Sequence, residues 1–198
     1  EVSALTEETM AMNDGLIRTN DALRRREDIW TRTLDVTVAI TSPEEFEEKL
    51  RGISETIRQA AGAFGVLAAR IDGDVAINLA SAGYRGRTLP LTAPLDGTVV
   101  GRVVRTGLTA WVERVDQDPE YFQVHPDVQT EVLLPLLEMG QVIGILELAF
   151  DRRTPRNEEL LETLHPVTSA LAGLIGAEYL HREILDSYRY LAEKLQSI

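Results

Sequence analysis

The stretch VLLPLLEMGQVIGILELAFD, residues 132–151, constrains the fold more than any other part of the chain. Two apolar runs flank a polar turn at Met139-Gly140-Gln141, so the segment reads as a β-hairpin. Pro135 has no N–H to give a ladder, so its strand must be an edge or leave that position unpaired. Gly144, inside the second run, marks a close backbone approach or a bulge. A hairpin so apolar is marginal alone and must be covered by more strands and by helices.

The rest of the chain supplies them. TSPEEF sets a helix start: Ser42 suits the N-cap, Pro43 the first helical position, and Glu44 and Glu45 the positive end. Phe46, Leu50, Ile53 and Ile57 follow at helical spacing, and Gly62 and Gly65 close that helix. GVLAARIDGDVAINLASAGY reads as a second hairpin turning at Asp72-Gly73-Asp74. A short strand precedes a helix from about Thr98 to Arg105, with Gly107 as its stop. LTAWVERV alternates as a strand. The connection at 116–130 is long for a link between strands, and long loops on a rigid sheet are often lids. Pro155 with Glu158 and Glu159 opens a helix that runs to the end of the chain. Consecutive hairpins with helices around them predict an α+β fold on a central antiparallel sheet.

Composition narrows the function. Of 198 residues, 44% are apolar, enough for a packed core. The net charge of -12 argues against non-specific binding to nucleic acid or anionic lipid. There is no cysteine, which removes disulfides, thiol nucleophiles and Cys-based zinc sites. No unbroken apolar run approaches the roughly 20 residues that cross a bilayer, and no signal peptide is visible, so a cytoplasmic location is expected, with no membrane contact by this stretch. The chain begins at Glu1 and both ends read as helix. An excised piece of a longer protein is the expectation.

LLPLLEMGQVIGILELAF followed by TPRNEELLETL resembles the C-terminal half of a GAF domain. Pro135, Leu136, Gly140, Ile143, Gly144, Leu146 and Leu148 stand at matching places, as do Glu159 and Leu160. Upstream, GTVVGRVVRTGLTAWVERVDQDPEYF looks like the family's short helix, strand and variable loop. The resemblance spans about residues 43–175. It implies five or six antiparallel strands with helices on both faces, and a small-molecule pocket between the sheet and the helix-plus-lid region. It also implies a sensory module of a bacterial signalling protein, such as a sensor histidine kinase. Relatives that bind cyclic nucleotides carry an Asn-Lys…Phe…Asp-Glu signature; here Phe150 is present but no Asn-Lys pair exists. Relatives that attach a bilin, or that reduce free methionine sulfoxide, use cysteines, which this chain lacks.

The expected ligand-binding residues are Trp111, Tyr121, Phe122, Arg102, Arg105 and Glu131, aromatics for an apolar lining and arginines to clamp an anion. Trp111 is equally read as core, and Arg102 and Arg105 as surface helix charge. No catalytic set, phosphate loop or metal-spaced His pair is found. His125 in the lid-like loop is read as a surface residue rather than a haem ligand, and Asp116, Asp118 and Asp127 as solvated rather than cation-binding. No cofactor is assigned. Positions 167, 174, 181, 188 and 195 with 170, 177, 184, 191 and 198 fit heptad a and d places, which implies a partner helix. A weaker heptad series includes Leu16, Leu23 and Trp30. The expected organisation is a dimerising helix at 1–41, a sensory domain at 42–176 and a coiled-coil helix at 177–198, with a homodimer formed through the terminal helices.

Overall fold

The computed structural model describes residues 45–196. The helix read at residues 3–40 lies outside them, as do Ser42, Pro43 and Glu44. The first described helix, α1, runs Phe46–Ala61 with Glu45 in extended backbone as its N-cap, so it opens later than the Pro43 start that the sequence suggested. Glu47 and Glu48 occupy its first turn, where negative charge meets the positive helix end. Leu50, Ile53 and Ile57 form its buried stripe. Gly62, at φ 61°, closes it in the left-handed conformation.

Six strands follow: β1 Gly65–Asp72, β2 Val75–Gly83, β3 Thr92–Pro94, β4 Ala110–Val112, β5 Thr130–Glu138 and β6 Gln141–Phe150. They form one antiparallel sheet in the order β3-β2-β1-β6-β5-β4. The two hairpins sit where the sequence places them. Met139 and Gly140, both at positive φ, make the turn between β5 and β6. Pro135 pairs only with Ile145 of β6, because β4 reaches no further along β5 than Leu133. A Cβ on Gly144 would lie 2.6 Å from the Ala69 carbonyl oxygen, and a bulge adjoins it, so both readings of that glycine hold.

The sheet has two covered faces. Val66, Val132, Leu134, Leu136, Leu146 and Leu148 pack under α1 and under α3, which runs Glu158–Gln196. Leu67, Ala69, Leu133, Ile145 and Ala149 face the other way, under α2 (Val99–Thr106) and the connections. Thr98 caps α2: its Oγ1 accepts from the Gly101 N–H at 3.1 Å and donates to the Pro94 carbonyl at 2.8 Å. Gly107, in left-handed backbone, ends the helix as expected.

The connection after β4 is stapled down. Val115, His125 and Val128 are buried, the Val99 N–H donates to the Glu120 carbonyl, and Arg102 bridges Asp118 and Glu120. Helix α3 is continuous through Pro166. Leu164, Val167, Leu171, Ala172 and Ile175 dock it on the sheet, and from His181 to Tyr188 it is exposed. By length and composition alone, Glu158–Tyr188 is long and apolar enough to cross a membrane, with 33% of its most apolar window buried.

Candidate functional site

Strand alternation and one bulge build a cavity on the α2 face of the sheet. Leu67 and Ala69 of β1, Ile145 and Glu147 of β6, and Glu131 of β5 point into it. The β1–β2 register slips at Leu79, so Asn78 lines the cavity while Ala80, two residues on, joins the opposite core. Pro90–Ala93, the first turn of α2, Phe122 and Val124 complete the walls. The cavity is small, ≈ 30 Å³.

The floor is acidic and dry. Glu131 and Glu147 are 3% and 4% exposed. Their strands pair Glu131 with Ala149 and Leu133 with Glu147, so the two carboxyls are diagonal neighbours. Burial pushes Glu131 well above the usual carboxylate range, and the Glu147 charge and hydrogen bond add to this. Burial also raises Glu147, while hydrogen bonds from Tyr84 and Glu131 oppose it. These surroundings favour the protonated form of Glu131 beside Glu147. The Tyr84 hydroxyl donates to Glu147 Oε1 at 2.9 Å, and burial beside these carboxyls raises its own ionisation well above the ordinary value. Tyr121 is raised by the same causes, burial first and then Glu131 and Glu147. Its hydroxyl and the Asn78 Oδ1 are fully enclosed and have no hydrogen-bond partner among the described residues.

Two of the six expected residues, Phe122 and Glu131, line this cavity. Tyr121 packs in the same core. Trp111 lies in the core on the opposite face, where its Nε1 donates to the Thr154 carbonyl at 3.0 Å. Arg102 and Arg105 do not line the cavity; they face Asp118 and Glu120. Burial works to raise the Asp118 carboxyl, but Arg102 and the Glu120 N–H outweigh it and hold it below the ordinary value. Asp116, Asp118 and Asp127 pair with Arg114, Arg102 and Arg85 respectively. No cluster of three or more metal-ligating side chains occurs among the described residues. His125, expected at the surface, is 6% exposed. Its ring packs 4.9 Å from Phe64 and its Nδ1 accepts from the Asp127 N–H.

Sequence reasoning missed Glu147, Asn78 and Tyr84. For Glu147 a signal existed: it is the one charged residue between Val142 and Phe150, in an otherwise apolar strand. Tyr84 gave none, because its place depends on left-handed backbone at Tyr84 and Arg85 (φ 52° and 49°).

The fold is shared with solved structures of low sequence identity. A GAF domain from a phosphoenolpyruvate-protein phosphotransferase of Coxiella burnetii superposes with TM-score 0.71 at 15% identity, over 79% of this chain and 98% of that one. The corresponding Acinetobacter domain gives TM-score 0.68 at 14% identity, over 76% and 94%. A free methionine-R-sulfoxide reductase from Neisseria meningitidis gives 0.65 at 20% identity, over 79% and 91%. No curated protein matches in sequence. The sequence pattern of the GAF domain matches residues 43–175, most of the chain. With the six-stranded sheet and its two covered faces, that match bears out the resemblance drawn from the hairpin: the chain belongs to the GAF domain family.

Proposed function

We propose that this chain is the sensory input of a bacterial signalling protein. A small ligand enters the cavity over Glu131, Glu147 and Asn78, and α3 carries the result to an output domain. One observation carries the reading: a cavity with buried, incompletely bonded polar groups lies across the sheet from a helix that outruns its own domain. Tyr179, Leu180, Ile184, Leu185 and Tyr188 are exposed on that helix. Of these, Ile184 and Tyr188 stand in the heptad places, and together with the exposed apolar surface around them they favour a parallel homodimer through α3. A sensor histidine kinase is the output that such a helix best serves; a diguanylate cyclase, a phosphatase or a transcription regulator takes the same input. The reading is regulatory rather than enzymatic, and the absence of cysteine separates this chain from thiol-based chemistry. A cytoplasmic setting goes with it.

A second reading has its own support. The enclosed space of ≈ 30 Å³ fits a structural dimerisation module with a collapsed pocket. A thermal-shift screen of metabolites separates the two. Binding to the folded state alone raises stability by about 2.7 kcal/mol at a hundredfold excess over Kd. A melting point that no compound moves leaves the dimer module as the account.

A further inference from the structure

The cavity offers hydrogen-bond acceptors and no cation. Two carboxyls stand on its floor, and Asn78 Oδ1 is enclosed there without a partner. Among the described residues, no Arg, Lys or His lines it. The arginines nearest in sequence to its wall, Arg102 and Arg105, face carboxylates of the connection. The remaining lining is largely apolar: Leu67 and Ile145 from the sheet, and Val99, Phe122 and Val124 from the walls over it.

Such a surface selects by sign of charge. An anion entering here would meet buried carboxyls with no counter-charge, a cost of several kcal/mol by desolvation and repulsion. A cationic nitrogen head meets the reverse. It completes the Asn78 carbonyl, bridges the two carboxyls by charge-assisted bonds and leaves an apolar stem for the aliphatic walls. The small cavity suits a compact head group, with the stem lying among the wall residues Phe122 and Pro90–Ala93.

Deepening the sensory reading, and resting on it, we propose that this cavity binds a compact aliphatic amine or amidine, its cationic head on Glu131, Glu147 and Asn78. This replaces the anion clamp that the sequence suggested for Arg102 and Arg105. On binding, the proton shared by the carboxyls is displaced to solvent, because the cation stabilises both in the ionised form.

Ethylammonium and acetamidinium are the probes, with acetamide as neutral control and propionate as anion, at matched ionic strength. The expected result is a saturable rise in Tm with the two cations only, and at least a tenfold weakening in E131Q/E147Q. The glutamines keep shape and hydrogen bonding; E131Q alone serves where the double variant does not fold. Calorimetry in two buffers of different ionisation enthalpy reads the released proton. A cation effect that survives the glutamine substitutions overturns the proposal, as does an equal response to propionate or acetamide. A response to propionate alone ends the amine class and leaves the sensory reading standing. Silence from all four probes also ends the amine class, while the sensory reading then rests on the wider metabolite screen.

Discussion

The Tyr84 hydroxyl reaches Glu147 at 2.9 Å across 63 positions of chain, at the floor of the cavity. It gets there because Gly65 lets the phenol ring lie directly on β1. A Cβ at Gly65 would stand 2.5 Å from Tyr84 Cε2. The left-handed backbone at Tyr84 and Arg85 then aims the ring inward. One strained turn and one missing methyl together set the hydrogen bonding of the carboxyl pair.

Gly65→Ala forces that ring aside. A loss of about 1–3 kcal/mol is expected from overpacking, measured by urea denaturation. Tyr84→Phe keeps the packing and removes only the donor to Glu147, for a loss of about 1–3 kcal/mol. If G65A is as stable as the parent, the close approach is not a constraint.

The carboxyl pair makes stability depend on pH in a stated direction. Glu131 faces Glu147, Tyr84 and Tyr121, with Asp118 adding repulsion. Its folded pKa is raised, so the native state holds a proton that the unfolded chain releases. That contribution is complete below the ordinary carboxylate range and is lost as pH rises from there towards the raised native value. Stability therefore declines from pH 5 to pH 8, by at most about 1.4 kcal/mol per pH unit for one proton. E131Q reduces this slope, leaving the share that the buried Glu147 carries, and is the more stable protein at pH 8. Chemical denaturation across that range is the measurement, and equal slopes in both proteins would count against a shared proton.

Two substitutions beside each other at α2 separate a cap from a packing limit. Thr98→Ala removes the cap bond, for about 0.5–2 kcal/mol. Gly101→Ala places a methyl 1.8 Å from the Leu95 carbonyl oxygen and must move backbone, so it is expected to cost more. Thermal denaturation of both variants gives the order; the reverse order would show that the loop before α2 yields easily.

For the helix pair, sedimentation equilibrium is expected to return twice the monomer mass. Ile184→Asp with Tyr188→Asp is expected to give monomers with the domain still folded, since both residues lie beyond the last docking residue Ile175. A wild-type monomer at high micromolar concentration would remove the coiled-coil reading.

Within the connection after β4, only the stretch around Phe122 and Val124 lines the cavity. Its amides are expected to exchange faster than those of β6, and to slow when the cavity fills. Equal protection without ligand would argue against a moving cover.

Much of the fold was legible because its signals are local. The Met139-Gly140 turn, the Thr98 cap and the Gly107 stop each follow from a few neighbouring residues. The site was less so, because it depends on parity over long range. Trp111 and Glu131 lie on neighbouring strands whose register puts them on opposite faces: Trp111 opposes Val132 and shares its face, while Glu131, opposite Val112, points the other way. A shift of one residue in β4 would turn Trp111 to the face of Glu131, and nothing in AWV fixes that choice. The Leu79 bulge that sends Asn78 to the cavity is equally silent in sequence. The helix start was read too early, with Ser42 as cap and Pro43 as first helical position, where α1 takes Glu45 as its N-cap.

Arg182 lies 3.1 Å from Glu47 and over the ring of Phe46, so the far half of α3 is tethered to the first turn of α1. Mechanically, α3 is a lever hinged where Ile175 leaves the sheet, with this tie as a brace along its arm. The stretch from Ile175 to Gln196 is about 30 Å long at the rise of an α-helix. A tilt of about 2° at the sheet would swing its tip by about 1 Å, a displacement on the scale of the helix shifts that switch paired helices. Because Arg182 and Glu47 are both exposed, the tie is soft and weakens with salt. Ionic strength would thus set the stiffness of the lever without touching the cavity.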